Sequence, residues 1–183
     1  EKFEVAPSDF EEDLDKSSFD SATAYTLETA RQKAKGVAAS LMRRDTMERP
    51  DVLIAADTVV EWDGLVLEKP ADVADAKRML GMLSGNWHLV HTGVVVYVRR
   101  APTASLDHGV SFVETTKVKM IELLEEDIDA YVASGEPFDK AGAYGIRGRA
   151  SQFVEELSGD YFNVMGLPIC TLSRELAKLH SGP

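Results

Sequence analysis

The stretch from Val52 to Pro70, VLIAADTVVEWDGLVLEKP, constrains this chain more than any other, because it reads as a strand, a tight turn and a return that brings a carboxylate to a lysine. Val52, Leu53, Ile54, Ala55 and Ala56 form an apolar run with no polar break, as in a strand covered on both faces, and Asp57 ends it. Open α/β sheets bind ligands at the carboxyl ends of such strands, although an aspartate there also serves simply to cap a turn. Asp63-Gly64 is a strong hairpin signal between Val59–Trp62 and Leu65–Leu67. A two-residue turn pairs Trp62 with Leu65 and sets Lys69 opposite Thr58, whereas a three-residue loop with Gly64 left-handed sets Lys69 opposite Asp57 itself. Both registers bring Lys69 to the Asp57-Thr58 pair, either as part of a ligand site or as a cross-strand surface salt bridge that contributes little.

With 183 residues and 44% hydrophobic content the chain can bury a full core, and residues 1–183 read as a single domain. Thirty-one acidic against 20 basic residues give a net charge of -11, which excludes a nucleic-acid polymer as the main partner, since phosphate backbones need a basic face. A small phosphorylated ligand stays compatible, because a few placed lysines and a divalent cation reverse the local sign. The single Cys170 excludes an intrachain disulfide framework and a multi-cysteine zinc site and fits a reducing, cytoplasmic setting. It reads as a small apolar packing residue beside Ile169 and Leu172. No apolar run approaches membrane-spanning length, so no membrane partner is expected. No secretory signal opens the chain. Glu1-Lys2-Phe3-Glu4-Val5 reads as an edge strand already in progress, so residues ahead of Glu1 are expected.

Taken in order, Ser8-Asp9-Phe10-Glu11-Glu12-Asp13 is an acidic loop, which as a magnesium site needs a further carboxylate or a substrate phosphate. Leu27, Ala30, Ala34, Val37, Ala38 and Leu41 recur at helical spacing within Ala24 to Arg44, and Lys33 lies on that helix among other basic residues. Asp72 is a plausible cap for a helix to about Leu83, stopped by Ser84-Gly85. Trp87 to Arg99 and Val110 to Ile121 read as long antiparallel neighbours joined by the polar loop Ala101 to Gly109. His88 and His91, three apart on a strand, face opposite ways, which favours hydrogen-bonding roles over a shared metal. Glu125 to Ala133 forms a short helix ended by Gly135. Glycines 142, 145 and 148 then let backbone amides approach a ligand, with Asp139, Lys140 and Arg147 supplying charge, although neither GxxxxGK[ST] nor GxGxxG is present. Phe153 to Leu157 is a strand, Ser158-Gly159-Asp160 a turn, and Pro168 opens a closing helix.

The chain resembles the Maf family of nucleoside triphosphate pyrophosphatases, and particularly the Maf-like part of acetylserotonin O-methyltransferase-like proteins. The resemblance is carried by Phe3-Glu4-Val5-Ala6-Pro7-Ser8 with Glu12, by Ala56-Asp57-Thr58-Val59-Val60 with Glu68-Lys69-Pro70, and by Leu83-Ser84-Gly85, His88 and Thr92-Gly93-Val94. A fourth block joins Ser134-Gly135-Glu136-Pro137 and Asp139-Lys140-Ala141-Gly142 to Tyr144-Gly145, Asn163-Val164 and Gly166-Leu167-Pro168. These blocks span nearly the whole chain in the family's order. The fold implied is the Maf/HAM1 α/β architecture, a long twisted mixed sheet flanked by helices, with two lobes around a cleft, commonly as homodimers.

By the same resemblance Asp57 matches the family's catalytic aspartate, the general base, while Glu12, Lys33 and Lys69 match its other polar active-site positions. Cleavage between α and β phosphates needs an oriented water, a carboxylate for its proton, magnesium or manganese on phosphate oxygens, and cations on the departing pyrophosphate. Glu12 and Asp57 are accordingly expected at metal and water, Lys33 and Lys69 as the phosphate contacts, and Thr58, Lys140 and Arg147 also at the substrate. Two departures stand out. The family's opening strand and its Ser-x-Ser-Pro-Arg-Arg-like loop are not among these residues and are expected ahead of Glu1. Arg147 stands where members acting on dTTP and UTP usually carry glutamine, while Thr58 keeps the threonine associated with them. Arginine only donates, so Arg147 suits a base edge rich in acceptors. The activity implied is hydrolysis of pyrimidine or modified nucleoside triphosphates to monophosphate and pyrophosphate. The alternative is a catalytically reduced nucleotide-binding or interaction domain of a larger fused protein.

Overall fold

A computed structural model describes residues 3–43, 50–101 and 104–181. The expected strand start at Glu1-Lys2, the helix end at Arg44, and Pro102-Thr103 of the polar loop lie outside the described residues. Strand β1, Val52–Trp62, does not stop at Asp57 but carries it in mid-strand. Five strands are joined in the order β2-β1-β3-β4-β5, with β2 at Leu65–Leu67, β3 at Trp87–Val98, β4 at Asp107–Met120 and β5 at Val154–Ser158. Every pairing among the described residues is antiparallel. This is the expected α/β sheet flanked by helices, but among the described residues it is antiparallel and not mixed as expected, because each strand pairs with its neighbour in the opposite direction.

The hairpin takes the two-residue form. Trp62 pairs with Leu65 and Val60 with Leu67, and Asp63 and Gly64 both adopt positive φ, at 49° and 77°, as a type I′ turn requires. Because β2 lasts only 3 residues, the upstream part of β1 has no strand on that side among the described residues. Hydrogen-bonded pairs alternate along an antiparallel ladder, so the main-chain groups of Thr58, two residues before Val60, face this open side. Lys69 falls beyond the last β2 residue and leaves the ladder, so the sheet itself does not place it against Asp57.

Helix α1, Ala22–Leu41, begins with Ser21, whose side chain accepts from the Ala24 amide, and buries Ala30, Ala34, Val37, Ala38 and Leu41 as its spacing predicts. It crosses one face of the sheet, where Ala30 and Ala34 meet Val95. The other face carries α2, Val73–Leu83, capped by Asp72, with Met79, Leu80 and Leu83 packed on Val60, Val90, Val118 and Met120. Helix α5, Ile169–Ser181, lays Leu172, Leu176 and Leu179 on Val94, Val96 and Val98. Each fully buried valine of β3 contributes about 1.5–3 kcal/mol by leaving water. Helix α3 spans Glu125–Ala133, as expected, and α4 is the short Tyr161–Val164 turn.

Three expectations are corrected. Phe3 and Val5 form no strand and stand 90% and 77% exposed. β1 is not covered on both faces at its start, since Val52 and Ile54 are exposed there. Cys170 is exposed rather than packed, because Leu172, Leu176 and Leu179 are the residues of α5 that face β3.

A close backbone-to-backbone approach lies where α1 crosses β3. A Cβ on Gly93 would stand 2.8 Å from the Leu27 Cα and 2.9 Å from the Thr26 carbonyl, backbone atoms that cannot swing aside. Gly93→Ala is therefore expected to lower the unfolding free energy by about 1–3 kcal/mol, read as an earlier urea midpoint at unchanged slope.

Candidate active site

Tyr25, Thr29 and Lys33 recur every four residues on α1 and so share the face that meets Asp57 of β1. Lys33 Nζ lies 2.7 Å from Asp57 Oδ1 and 2.9 Å from Glu12 Oε1, so one ammonium joins a sheet carboxylate to a loop carboxylate. Lys69 Nζ approaches Glu12 Oε1 at 3.7 Å. Lys33 is thus no wet surface lysine: its side chain is 18% exposed and that of Asp57 only 7%. The lysine that reaches Asp57 comes from α1, while Lys69 joins the cluster through Glu12. Glu68 completes it, accepting from the buried Tyr25 hydroxyl on one oxygen and pairing with Lys16 on the other.

Glu12, Lys33, Asp57, Glu68 and Lys69 line a cleft of about 610 Å³ that includes Ala56 to Val60 of β1. Val60, Val90, Tyr144, Ile146, Val164 and Met165 add apolar lining. Thr58, Lys140 and Arg147 also line it, so every site residue expected from the sequence borders one cleft. Lys140 is paired with Asp139. Arg147 is exposed on the glycine-rich loop. That loop is fastened at two points. The Gly142 amide donates to the Glu68 carbonyl at 3.0 Å, and at Gly142, with φ of 65°, a Cβ would stand 2.7 Å from the Val60 side chain. Further on, the Gly145 amide donates to the Tyr131 hydroxyl, which donates to Glu136, whose other oxygen accepts from the Arg149 amide.

The two carboxylates differ electrostatically. Burial pushes the Asp57 carboxyl above the ordinary value of 3.8; Lys33 opposes the rise, and the nearby Glu12 and Glu68 charges support it. Burial acts in the same direction on the less enclosed Glu12, but Lys33 and then Lys69 outweigh it and hold Glu12 below the ordinary 4.5. Burial works against the Lys33 charge, and Asp57 and Glu12 overcome it, raising Lys33 above 10.5. The fold thus shifts Asp57 toward holding a proton and Glu12 away from it, and the former is the direction a proton acceptor requires.

Among the described residues no three His, Cys, Asp or Glu side chains gather closely enough to hold an ion alone. Glu12 and Asp57 nonetheless offer the hard oxygen donors that magnesium takes when substrate phosphates and waters complete its shell. The histidines serve structure. His88 Nε2 lies 2.7 Å from the Tyr144 hydroxyl, and burial lowers its pKa to about 4. His91 on the opposite face is held at 2.9 Å by both Thr115 and Glu61.

Sequence reasoning passed over Tyr25 and Lys16, and it quoted Glu68, Thr92 and Asn163 without giving them a part. The four-residue step from Tyr25 to Lys33 was the available signal for Tyr25. Nothing in the spacing marks Thr92, which is fully buried beside Thr58 on the neighbouring strand.

An α/β domain with a lysine-clasped carboxylate pair lining a cleft of small-molecule size is the class these features define. A family model described as "Maf-like protein" matches residues 1–179, and the chain belongs to that family. It is 49% identical over 183 residues to a Homo sapiens protein called "Probable bifunctional dTTP/UTP pyrophosphatase/methyltransferase protein", covering 100% of this chain and 29% of that relative. It is 43% identical over 180 residues to the "dTTP/UTP pyrophosphatase" of Bacillus cytotoxicus, covering 98% of this chain and 86% of the relative. A "dTTP/UTP pyrophosphatase" of Bacillus cereus strain AH820 is 42% identical over 178 residues, with 97% and 85% covered.

The raised Asp57 value carries a sign for stability. A carboxyl whose folded value is raised favours the fold when protonated; that benefit is complete below 3.8 and is lost as pH rises through the raised value. Asp57→Asn is therefore expected to melt at a higher temperature than the parent at pH 7, with the gap closing toward pH 3.8. A gap independent of pH in thermal scans would contradict the assignment.

Proposed function

We propose that this chain is a nucleoside triphosphate pyrophosphatase, hydrolysing dTTP, UTP or modified triphosphates to the monophosphate and pyrophosphate. The observation that carries the reading is the Lys33 ammonium held between Glu12 and Asp57 in a cleft that apolar side chains also line. The names of the Bacillus relatives support the same substrate class. The triphosphate lies toward Lys33, Lys69 and Lys140, and the base toward Val60, Tyr144 and Met165. Asp57 holds the attacking water and takes its proton. The water oxygen forms the new bond to the α-phosphorus, the bond from that phosphorus to the α–β bridging oxygen breaks, and the bridging oxygen departs with pyrophosphate. Lys69 and Lys33 take up charge on the leaving group, and Arg147 borders the base as a donor.

A magnesium or manganese ion, held by Glu12 and Asp57 together with phosphate oxygens, would supply charge neutralisation on the reacting phosphates. The proposal also takes the chain to act in the cytoplasm, from its single cysteine, and as a homodimer, from the family resemblance. A second reading, a catalytically reduced nucleotide-binding domain within a longer fused protein, is favoured by the full-length match to 29% of the human relative. Tight triphosphate binding without pyrophosphate release would support it.

Two experiments test the first reading. Asp57→Asn and Lys69→Ala are each expected to cut magnesium-dependent pyrophosphate release by about 10²-fold or more while the circular dichroism spectrum is retained. Full activity in Asp57→Asn sinks the mechanism. Because Lys33 occupies the space between the carboxylates, Lys33→Met should bind manganese in the absence of nucleotide about tenfold more tightly than the parent, by calorimetry. Unchanged metal affinity would remove Glu12 and Asp57 as the ion's holders.

A further inference from the structure

Thr58 and Thr92 are direct partners across β1 and β3. Their hydroxyl oxygens lie 2.9 Å apart, and Thr92 Oγ1 also donates to the Asn163 main-chain carbonyl at 3.0 Å. A threonine hydroxyl has one proton and two lone pairs. Thr92 spends its proton on Asn163, so in the contact between the two threonines Thr58 is the donor. Asn163 cannot turn its carbonyl away, because it is fully buried and its side-chain amide donates to the Val90 carbonyl and to Thr116 Oγ1, each at 3.0 Å. The proton of Thr58 is therefore committed to the protein interior. What the Thr58 hydroxyl offers the cleft is lone pairs only.

We infer that Thr92 and Asn163 fix Thr58 as an obligate acceptor and thereby select nucleobases that present a ring N–H, such as uracil and thymine at N3, over cytosine, whose N3 is a bare lone pair. The inference rests on the nucleotide reading above and adds the origin of its base preference. Arg147, which also lines the cleft, brings only donors, so it suits the carbonyl oxygens that flank that N–H but leaves the N–H itself without a partner. Thr58 supplies the missing acceptor. With cytosine, two lone pairs face each other in a partly enclosed site, which is the costly arrangement. In this scheme Thr92 is a positioning residue: it touches no substrate and acts through the direction of a neighbouring hydroxyl.

The test uses α,β-methylene UTP and α,β-methylene CTP, which differ only in the base and cannot be cleaved at the α–β bridge. The parent should bind the UTP analogue at least about tenfold more tightly. Thr92→Val removes the acceptor that holds the Thr58 proton, which frees Thr58 to donate into the cleft, and should bring the affinity ratio close to unity. Thr92→Ser, which keeps the hydroxyl chain, should restore selection. A purely structural role would shift the melting temperature of Thr92→Val without moving the ratio, and an unchanged ratio overturns the inference. Should the valine variant not fold, Thr92→Ala read with the same two analogues decides in its place. Equal affinity in the parent likewise overturns the selection, whereas selective binding with no release of pyrophosphate from UTP overturns only the enzymatic reading.

Discussion

The ammonium of Lys33 between the carboxylates of Glu12 and Asp57 is the contact on which the arrangement of the cleft depends. Without a cation there, two acidic groups from different parts of the chain would repel each other at close range, with Glu68 adding a third charge. A buried pair of this kind adds little net stability, but losing its cation leaves an uncompensated charge in a poorly solvated place. The lysine thus does two jobs. It ties the irregular stretch around Glu12 to the sheet, and it keeps the space between the acids polar and preformed for a phosphate-bearing ligand.

The same helix that delivers Lys33 must lie very close to the sheet, and Gly93 is what allows it. With a side chain at that position α1 would ride higher over β3, and the reach from Lys33 to Asp57 would lengthen. Packing and chemistry are coupled here through a few tenths of an ångström. Tyr25, two helical steps before Lys33, extends the coupling by anchoring Glu68 beside the start of the glycine-rich loop.

Much of the architecture was legible in the sequence because it is written in local patterns. The Asp63-Gly64 turn narrowed the hairpin to two registers, of which the two-residue form is the one adopted, while Asp72 marked a cap and the alternation along Trp87 to Val98 a strand. The Asp57 partner was less legible, since hairpin geometry points to Lys69, whereas the choice between Lys33 and Lys69 is made by how α1 crosses the sheet. The run past Asp57 was missed because a charged residue in mid-strand reads as an ending unless its neutralising partner is known. Phe3 and Val5 alternate like a strand, but alternation alone does not supply a neighbour to pair with. The hydroxyl chain from Thr58 to Asn163 links three distant segments through proton direction, which leaves no trace in spacing.

The brevity of β2 has an evolutionary side. Where the sheet stops short, the peptide groups of Thr58 are turned toward the cleft, and these are the same whatever amino acid occupies the position. That ledge cannot be redesigned by point mutation. Divergence in what such a cleft accepts must therefore run through the few side chains that hang over the ledge, which makes the loop around Arg147 and the hydroxyl at Thr58 the natural places for one lineage to part from another.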